Sequence, residues 1–505
     1  GGGIVNNGTV DILASDVDNT AAFANAAGVA VTGATSTAFQ NALGADVVVD
    51  AIASLTAPRT ASANAIGVFQ GVTGTDTAVN AIADVINDGL IDVAANALQN
   101  VQTSAGVTAQ PAFAGATGIY QAVETGTQAV GSAAVDNGGT LNVAADAQNI
   151  NGRTSGATAT AAAAGIVQIV GTTFFDFTFA NPETAIASVT NSGLIDVRAN
   201  ARANMGATDA TGFSVTFAAD AFAIGVSQYA TGDNNAVATV NNSGTIDVAA
   251  VALASALTQR AQATATAQGI FQDVDVVFGD DPDEGGNIAR AQVDNSGGLI
   301  RVAATASAFQ DLVGFTTAGA GTLTFGFHSA FATANAGGIQ QIVELLDGTS
   351  AIAVFNNAVV GTGTAAAIGV LSVAANALAS GVDADAFAFA TGVDQFVSAV
   401  DLTNAANASA AVDNDGIINV AANATAMVDQ ATTGSTAFAS AGAEGIIQDV
   451  FGQTAGDAVV NNGGTLNVAA HAVASIIANT YVDTDFTTIG GNEPYTITPQ
   501  FSVGE

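Results

Sequence analysis

Close copies of one segment, Val240-Asn241-Asn242-Ser243-Gly244-Thr245-Ile246-Asp247-Val248-Ala249-Ala250, return from one end of the chain to the other. The first valines of successive copies stand at 85, 135, 189, 240, 293, 354, 412 and 460, giving steps of 50, 54, 51, 53, 61, 58 and 48. An early copy lies at Val5 to Ile12, and the one after Val354 is worn: Asn356-Asn357 remains, but an insertion separates it from Leu371-Ser372-Val373. A period of roughly fifty residues restricts the chain to stacked or radially repeated units, because each unit can bury its apolar face only against its neighbours.

Inside each copy the pattern reads strand, turn, strand. Asn followed by Gly, directly or after one residue, predicts a tight turn with positive backbone dihedrals. Apolar residues alternate on either side: Ala238 and Val240 before it, Ile246, Val248, Ala250 and Ala252 after it. A period of two predicts strands with one buried face. The inward asparagines expected from the turn are Asn87, Asn137, Asn191, Asn242, Asn295, Asn414 and Asn462.

A second signature, Gly269-Ile270-Phe271-Gln272, recurs with the glutamines Gln70, Gln121, Gln168, Gln228, Gln341, Gln395 and Gln448. Each Gln shares a strand face with the aliphatic residue two positions earlier and is therefore expected inside. A buried amide is costly without a partner. The nearest one is the same Gln in the next coil, so these eight residues are expected to form an amide ladder.

These features predict an all-β chain, a β-solenoid (parallel β-helix) of about nine or ten repeats, right-handed by analogy with other solenoids. Residues 1–480 are read as one continuous solenoid, with degenerate N-terminal coils over 1–84 and an irregular unit over 354–398. Each copy is one wide coil of three long strands or two narrow coils. Ala-x-Ala runs such as Ala261 to Ala267 and Ala384 to Ala390 predict a thin core in which facing sheets approach closely. Loop length is expected to vary at one corner, between the Gln signature and the next Asn turn. The acidic stretch Gly279 to Gly286 and the aromatic stretch Gly171 to Pro182 both lie there. Residues 481–505 carry no Gln signature, but Tyr495, Ile497, Phe501 and Val503 sit in strand-patterned segments, a candidate cap or subunit-joining device.

The formal net charge is −36, with seven Arg and no Lys, which opposes binding to nucleic-acid phosphates or an anionic membrane surface. Cysteine is absent, so no disulfide or thiolate metal site can staple the fold. No window approaches about 18 uninterrupted apolar residues, so no membrane-spanning helix is expected. The chain starts Gly1-Gly2-Gly3: an export signal has been processed away, or the sequence belongs to something longer.

The Asn-x-Gly turns, the x-Gly-Thr/Leu-Ile/Leu-Asp/Asn-Val strands and the alanine alternation resemble the β-solenoid passengers of autotransporters and related bacterial surface adhesins. The resemblance covers residues 1–478, although the repeat is longer than the usual coil of that family. It implies an exported protein, extracellular or at a bacterial surface, acting as a stalk, adhesin or matrix component.

Catalytic patterns are missing. His328 and His471 stand in different repeats, and His471 takes the place of Asn96, Asn200 and Asn423 in other copies. The repeat Asp (Asp92, Asp196, Asp247) becomes Asn142, Asn419, Asn467 or Arg301, which marks an outward polar row and not a carboxylate pair for glycoside hydrolysis. Thr-x-Thr pairs such as Thr158-Ala159-Thr160 and Thr264-Ala265-Thr266 do not recur in register, which argues against an ice-binding array. No cofactor is required. Ca²⁺ is the one candidate ion, with Asp280, Asp281, Asp283 and Glu284 as hard oxygen ligands and a second acidic region at Asp383, Asp385 and Asp394. The expected function is structural and not enzymatic: a subunit of a self-assembling extracellular filament or surface layer, with a monomeric adhesin stalk as the alternative and a polysaccharide-active enzyme behind both. The expected partner is the chain itself, with surface polysaccharide as a further candidate.

Overall fold

In the computed structural model, residues 2–476 are described apart from 19–20, 57–58, 75–78, 102–109, 127–128, 152–156, 172–180, 206–215, 257–259, 278–286, 311–328, 347, 362–365, 401–405 and 429–434. They form a parallel β-solenoid. Each repeat is one wide coil of three strands, as in the coil Ala81–Asn87, Leu90–Val101 and Ala112–Glu124. Corresponding strands pair in parallel from coil to coil into three long sheets, called A, B and C in chain order, with ten, ten and nine strands. A small antiparallel pair, Val359–Val360 with Ala367–Ile368, holds the insertion of the worn copy. Among the described residues no helix is long and apolar enough to cross a membrane.

The alternation expected around the Asn turn is observed: Ala238, Val240, Ile246, Val248, Ala250 and Ala252 are all fully buried. Sheets B and C face each other through alanine rows, Ala250, Ala252 and Ala254 on one side and Ala261, Ala263 and Ala265 on the other, within one continuous apolar cluster. Alanine removes little apolar area per residue, on the order of 0.8 kcal/mol per buried CH₂-sized group, so this core gains stability from length and not from bulk.

The structure changes the reading of the turns. Gly89, Gly139, Gly193 and Gly244 are not in the left-handed region; at the Asn corner outside the worn copy, Gly44 and Gly297 are, in the two longer turns, with φ 78° and 73°. Glycine is needed there because coils stack too closely for a side chain. A Cβ on Gly139 would lie 2.1 Å from the Gly89 carbonyl oxygen, and one on Gly193 would lie 1.9 Å from that of Gly139. The turn amides point along the stack: the N–H groups of both Gly138 and Gly139 donate to the Asn87 carbonyl of the preceding coil, at 2.9 and 2.8 Å.

Register corrects the worn and terminal copies by one residue. Val293 pairs with Phe355, not Val354, and Phe355 fills the apolar slot that valine holds elsewhere, fully buried. In the first coil Ile4, not Val5, pairs with Phe39 of the second. A one-residue slip would turn every side chain of the strand to the opposite face, so burial of Phe39 and Phe355 sets the register. Residues 36–73, degenerate by sequence, make a complete second coil.

Loop length varies at two corners and not one. The C-to-A connection ranges from Gly33 to Ser36 up to Val170 to Thr184, and the B-to-C connection from Gly381 to Asp383 up to Gln310 to Ser329. The A-to-B corner is the most regular: two residues separate the ladder Asn from strand B in seven of the ten coils, three follow Asn295, four follow Asn41, and the worn copy carries the insertion.

Candidate functional site: amide ladders, a glycine bend and open ends

The Asn column is a continuous hydrogen-bonded ladder at the A-to-B corner. It runs Asn6, Asn41, Asn87, Asn137, Asn191, Asn242, Asn295, Asn357, Asn414, Asn462, each Nδ2 donating to the next Oδ1 at 2.7 to 2.9 Å. Most of them donate a second time, to the carbonyl of the residue opening the next coil's B strand, as Asn87 does to Thr140 at 3.2 Å. The Val landmark of the repeat does not single out Asn6, Asn41 or Asn357 as ladder positions. Asn41 follows Phe39 where other copies have valine, and Asn357 was visible only as part of the worn copy.

The Gln column is a second ladder, inside sheet C. Gln121 donates to Gln70, and the chain continues through Gln168, Gln228, Gln272, Gln341 and Gln395 to Gln448 at 2.7 to 2.8 Å. Each also donates across the core to a sheet A carbonyl, Gln272 to Gln292 at 3.2 Å for example. The column lies between two apolar clusters, one shared by all three sheets and one between the C-terminal half of sheet C and the start of sheet A. The two ladders run in opposite senses: the Asn amides donate toward the C-terminal end of the stack and the Gln amides toward the N-terminal end. In the first coil Val31 pairs with Gln70, so the Gln ladder starts one coil later than the Asn ladder.

Three residues before each ladder Gln stands a glycine, and this column bends sheet C. At Gly67 the inward alternation slips, Gly67 and Val68 both being buried. A Cβ on Gly225 would lie 2.6 Å from the Gly269 oxygen, and one on Gly269 2.5 Å from the Gly338 oxygen. Only glycine lets the strand turn the corner that aims Gln inward and brings the second half of sheet C onto sheet A.

Among the described residues nothing covers either end of the stack. At the C-terminal end the strands Ala455–Asn462 and Thr465–Ile476 pair on one side only, and Val460, Leu466 and Val468, inward by register, are 46%, 37% and 45% exposed. Among the described residues the last strand of sheet C is Ala437–Gly452, one coil earlier. At the N-terminal end Ile4 is 44% exposed, and Asp16 occupies an inward position that is Ala53 in the next coil, its Oδ2 accepting the Phe23 N–H at 2.8 Å.

The repeat Asp row faces outward as expected, Asp196 pairing with Arg198 at 2.9 Å and Asp247 with Arg301 at 3.7 Å. His471 stands in line with Asn423. Burial, with Asp273 and Glu344 close by, pushes the Asp275 carboxyl up to about 7; Asp273 rises through burial and Glu344. Asp385 is raised by burial and Asp383, and Asp394 by burial, Asp449 and Glu444. Asp383 accepts hydrogen bonds from the Thr436 N–H and hydroxyl. Among the described residues no group of three or more His, Cys, Asp or Glu is arranged to hold a metal. Asp280, Asp281, Asp283, Glu284, His328, Tyr495, Ile497, Phe501 and Val503 lie outside the described residues.

Comparison of the chain with protein-family models, with curated proteins and with solved structures finds no match.

Proposed function

We propose that the chain is a structural, non-enzymatic subunit of a self-assembling extracellular filament or surface layer, its copies joined end to end through the open edges of the solenoid. The observation that carries this reading is the match between the two ends among the described residues: parallel strands of sheets A and B and the same Asn corner at both, with apolar inward residues exposed at the C-terminal end. An unpaired strand edge is a template for another chain. All inter-coil strands of sheets A, B and C are parallel, so continuation is head to tail. The Asn ladder has the same polarity, with Asn462 placed to donate to Asn6 of a following copy. Continuation calls for one more strand in sheet C, and residues 481–505, with Tyr495, Ile497, Phe501 and Val503, are the segment proposed to supply it.

Asp16 and Val31 favour a second reading, a monomeric adhesin stalk. An inward carboxylate and the loss of the Gln rung are devices that end a stack. Electron microscopy of the whole chain and of one ending at Ile476 separates the two. Long fibres from the whole chain, lost on truncation, support assembly through the tail. Rods of one subunit's length from both leave the stalk.

A further inference from the structure

The glycine bend gives sheet C a concave outer surface, and in the sixth to eighth coils that surface holds a recess of about 190 Å³. It is built from the strands Arg260–Val276, Ser329–Leu345 and Asp383–Ala399. Register places the lining in three rows: Thr266, Asn335 and Phe389; Gln268, Gly337 and Thr391; Gln340 and Asp394. Gly337 keeps the floor low, because a Cβ there would lie 2.1 Å from the Gln268 Oε1. Gln268 lies along the floor, its Nε2 donating to the Ile270 carbonyl at 3.0 Å. Phe389 is 47% exposed, and Gly442 of the next coil leaves space for its ring, a Cβ there coming within 3.0 Å of Cδ1. On the opposite wall Gln340 Nε2 donates to Asp394 Oδ2 at 3.4 Å.

We propose that this recess binds one segment of a neutral polysaccharide, a sugar ring lying on Phe389 with its hydroxyls on Asn335, Thr391, Gln340 and Asp394. An exposed ring facing a row of amides, a hydroxyl and a carboxylate matches a ligand that is apolar on its ring faces and hydroxylated at its edges. The recess is open and shallow, which suits an extended chain running across coils better than an enclosed small molecule. A net charge of −36, with Asp394 and Glu444 nearby, repels sulfated or uronic polymers and selects an uncharged one. The site is independent of end-to-end assembly, since it lies on the side of the stack.

Saturation-transfer NMR of the whole chain with maltoheptaose, cellohexaose and chitohexaose, and with a heparin hexasaccharide as the charged control, tests it. At least one neutral oligomer is expected to bind and the heparin oligomer not to. Phe389→Ala is expected to weaken binding at least tenfold. Gly337→Ser fills the floor while displacing only the flexible end of Gln268, and is expected to do the same. Phe113→Ala, an exposed aromatic in the third coil, leaves binding unchanged. Failure of all three neutral oligomers to bind overturns the proposal, as does binding that survives both recess variants; circular dichroism checks that each variant is folded.

Discussion

Replacing Gln272 with leucine tests the Gln ladder at its centre. Gln272 is fully buried; it donates to Gln228 Oε1 at 2.8 Å and to the Gln292 carbonyl at 3.2 Å, and accepts from Gln341 at 2.8 Å. Leucine fills a similar volume but leaves the Gln228 oxygen and one Gln341 N–H without partners. At about 1–3 kcal/mol for each stranded buried group, Gln272→Leu is expected to cost about 3 kcal/mol. Gln228→Leu strands one neighbour on each side in the same way. In the double variant the two leucines face each other, and the stranded pair between them disappears. Two of the four stranded groups vanish, so its cost is expected to fall short of the sum of the singles by about 3 kcal/mol. Val31 is the natural precedent, an aliphatic residue in the Gln slot of the first coil. Solenoids unfold locally, so hydrogen exchange of sheet C amides in the fifth to seventh coils, read by mass spectrometry, is a better assay than a single melting midpoint. Strictly additive costs, or unchanged exchange in Gln272→Leu, refute the idea that the amides act as a linked column.

Gly225→Ala places a methyl 2.6 Å from the Gly269 oxygen and 2.9 Å from Val248, and is expected to destabilise the fifth coil by about 2–3 kcal/mol, seen as faster exchange at the bend. The raised carboxyls set the sign of the pH dependence. Asp275, 7% exposed, titrates near 7 folded against 3.8 ordinarily, so the folded state holds its proton more tightly and stability falls as pH rises from about 4 to 7. That shift is worth up to about 4 kcal/mol, levelling off above 7. Urea titrations at pH 5 and 8 are expected to show the protein more stable at 5, with Asp275→Asn raising stability at 8 and flattening the slope. Because the exterior repels itself, association of assembled fibres side by side is expected to increase from 10 to 300 mM salt, where the screening length drops well below ~30 Å, as read by light scattering.

Much of this architecture was legible because a buried amide has few partners other than its own copy in the next coil. Asn87 and Gln121 therefore announce themselves by recurrence. The period also gave the three-strand coil once register was known, but not before, since one wide coil and two narrow ones share the same spacing. The turn glycines misled: Asn-Gly reads as left-handed backbone, whereas Gly139 is constrained by the carbonyl one coil away, a contact absent from any local window. The second variable corner was hidden because the B-to-C connections carry no signature of their own. Phe39 and Phe355 concealed two ladder positions by replacing the valine used as a landmark. The recess left no periodic trace, because Asn335, Phe389 and Asp394 differ from their counterparts in neighbouring coils.

Continuation of all three sheets from one subunit into the next is tested most directly by electron cryomicroscopy of the assembled material. Ten coils at ~4.8 Å give an axial repeat of roughly 48 Å per subunit, with strand density uninterrupted across the joint and Asn462 beside Asn6 of the next copy. Fibres whose subunits meet side by side, or particles that never exceed one subunit in length, contradict it.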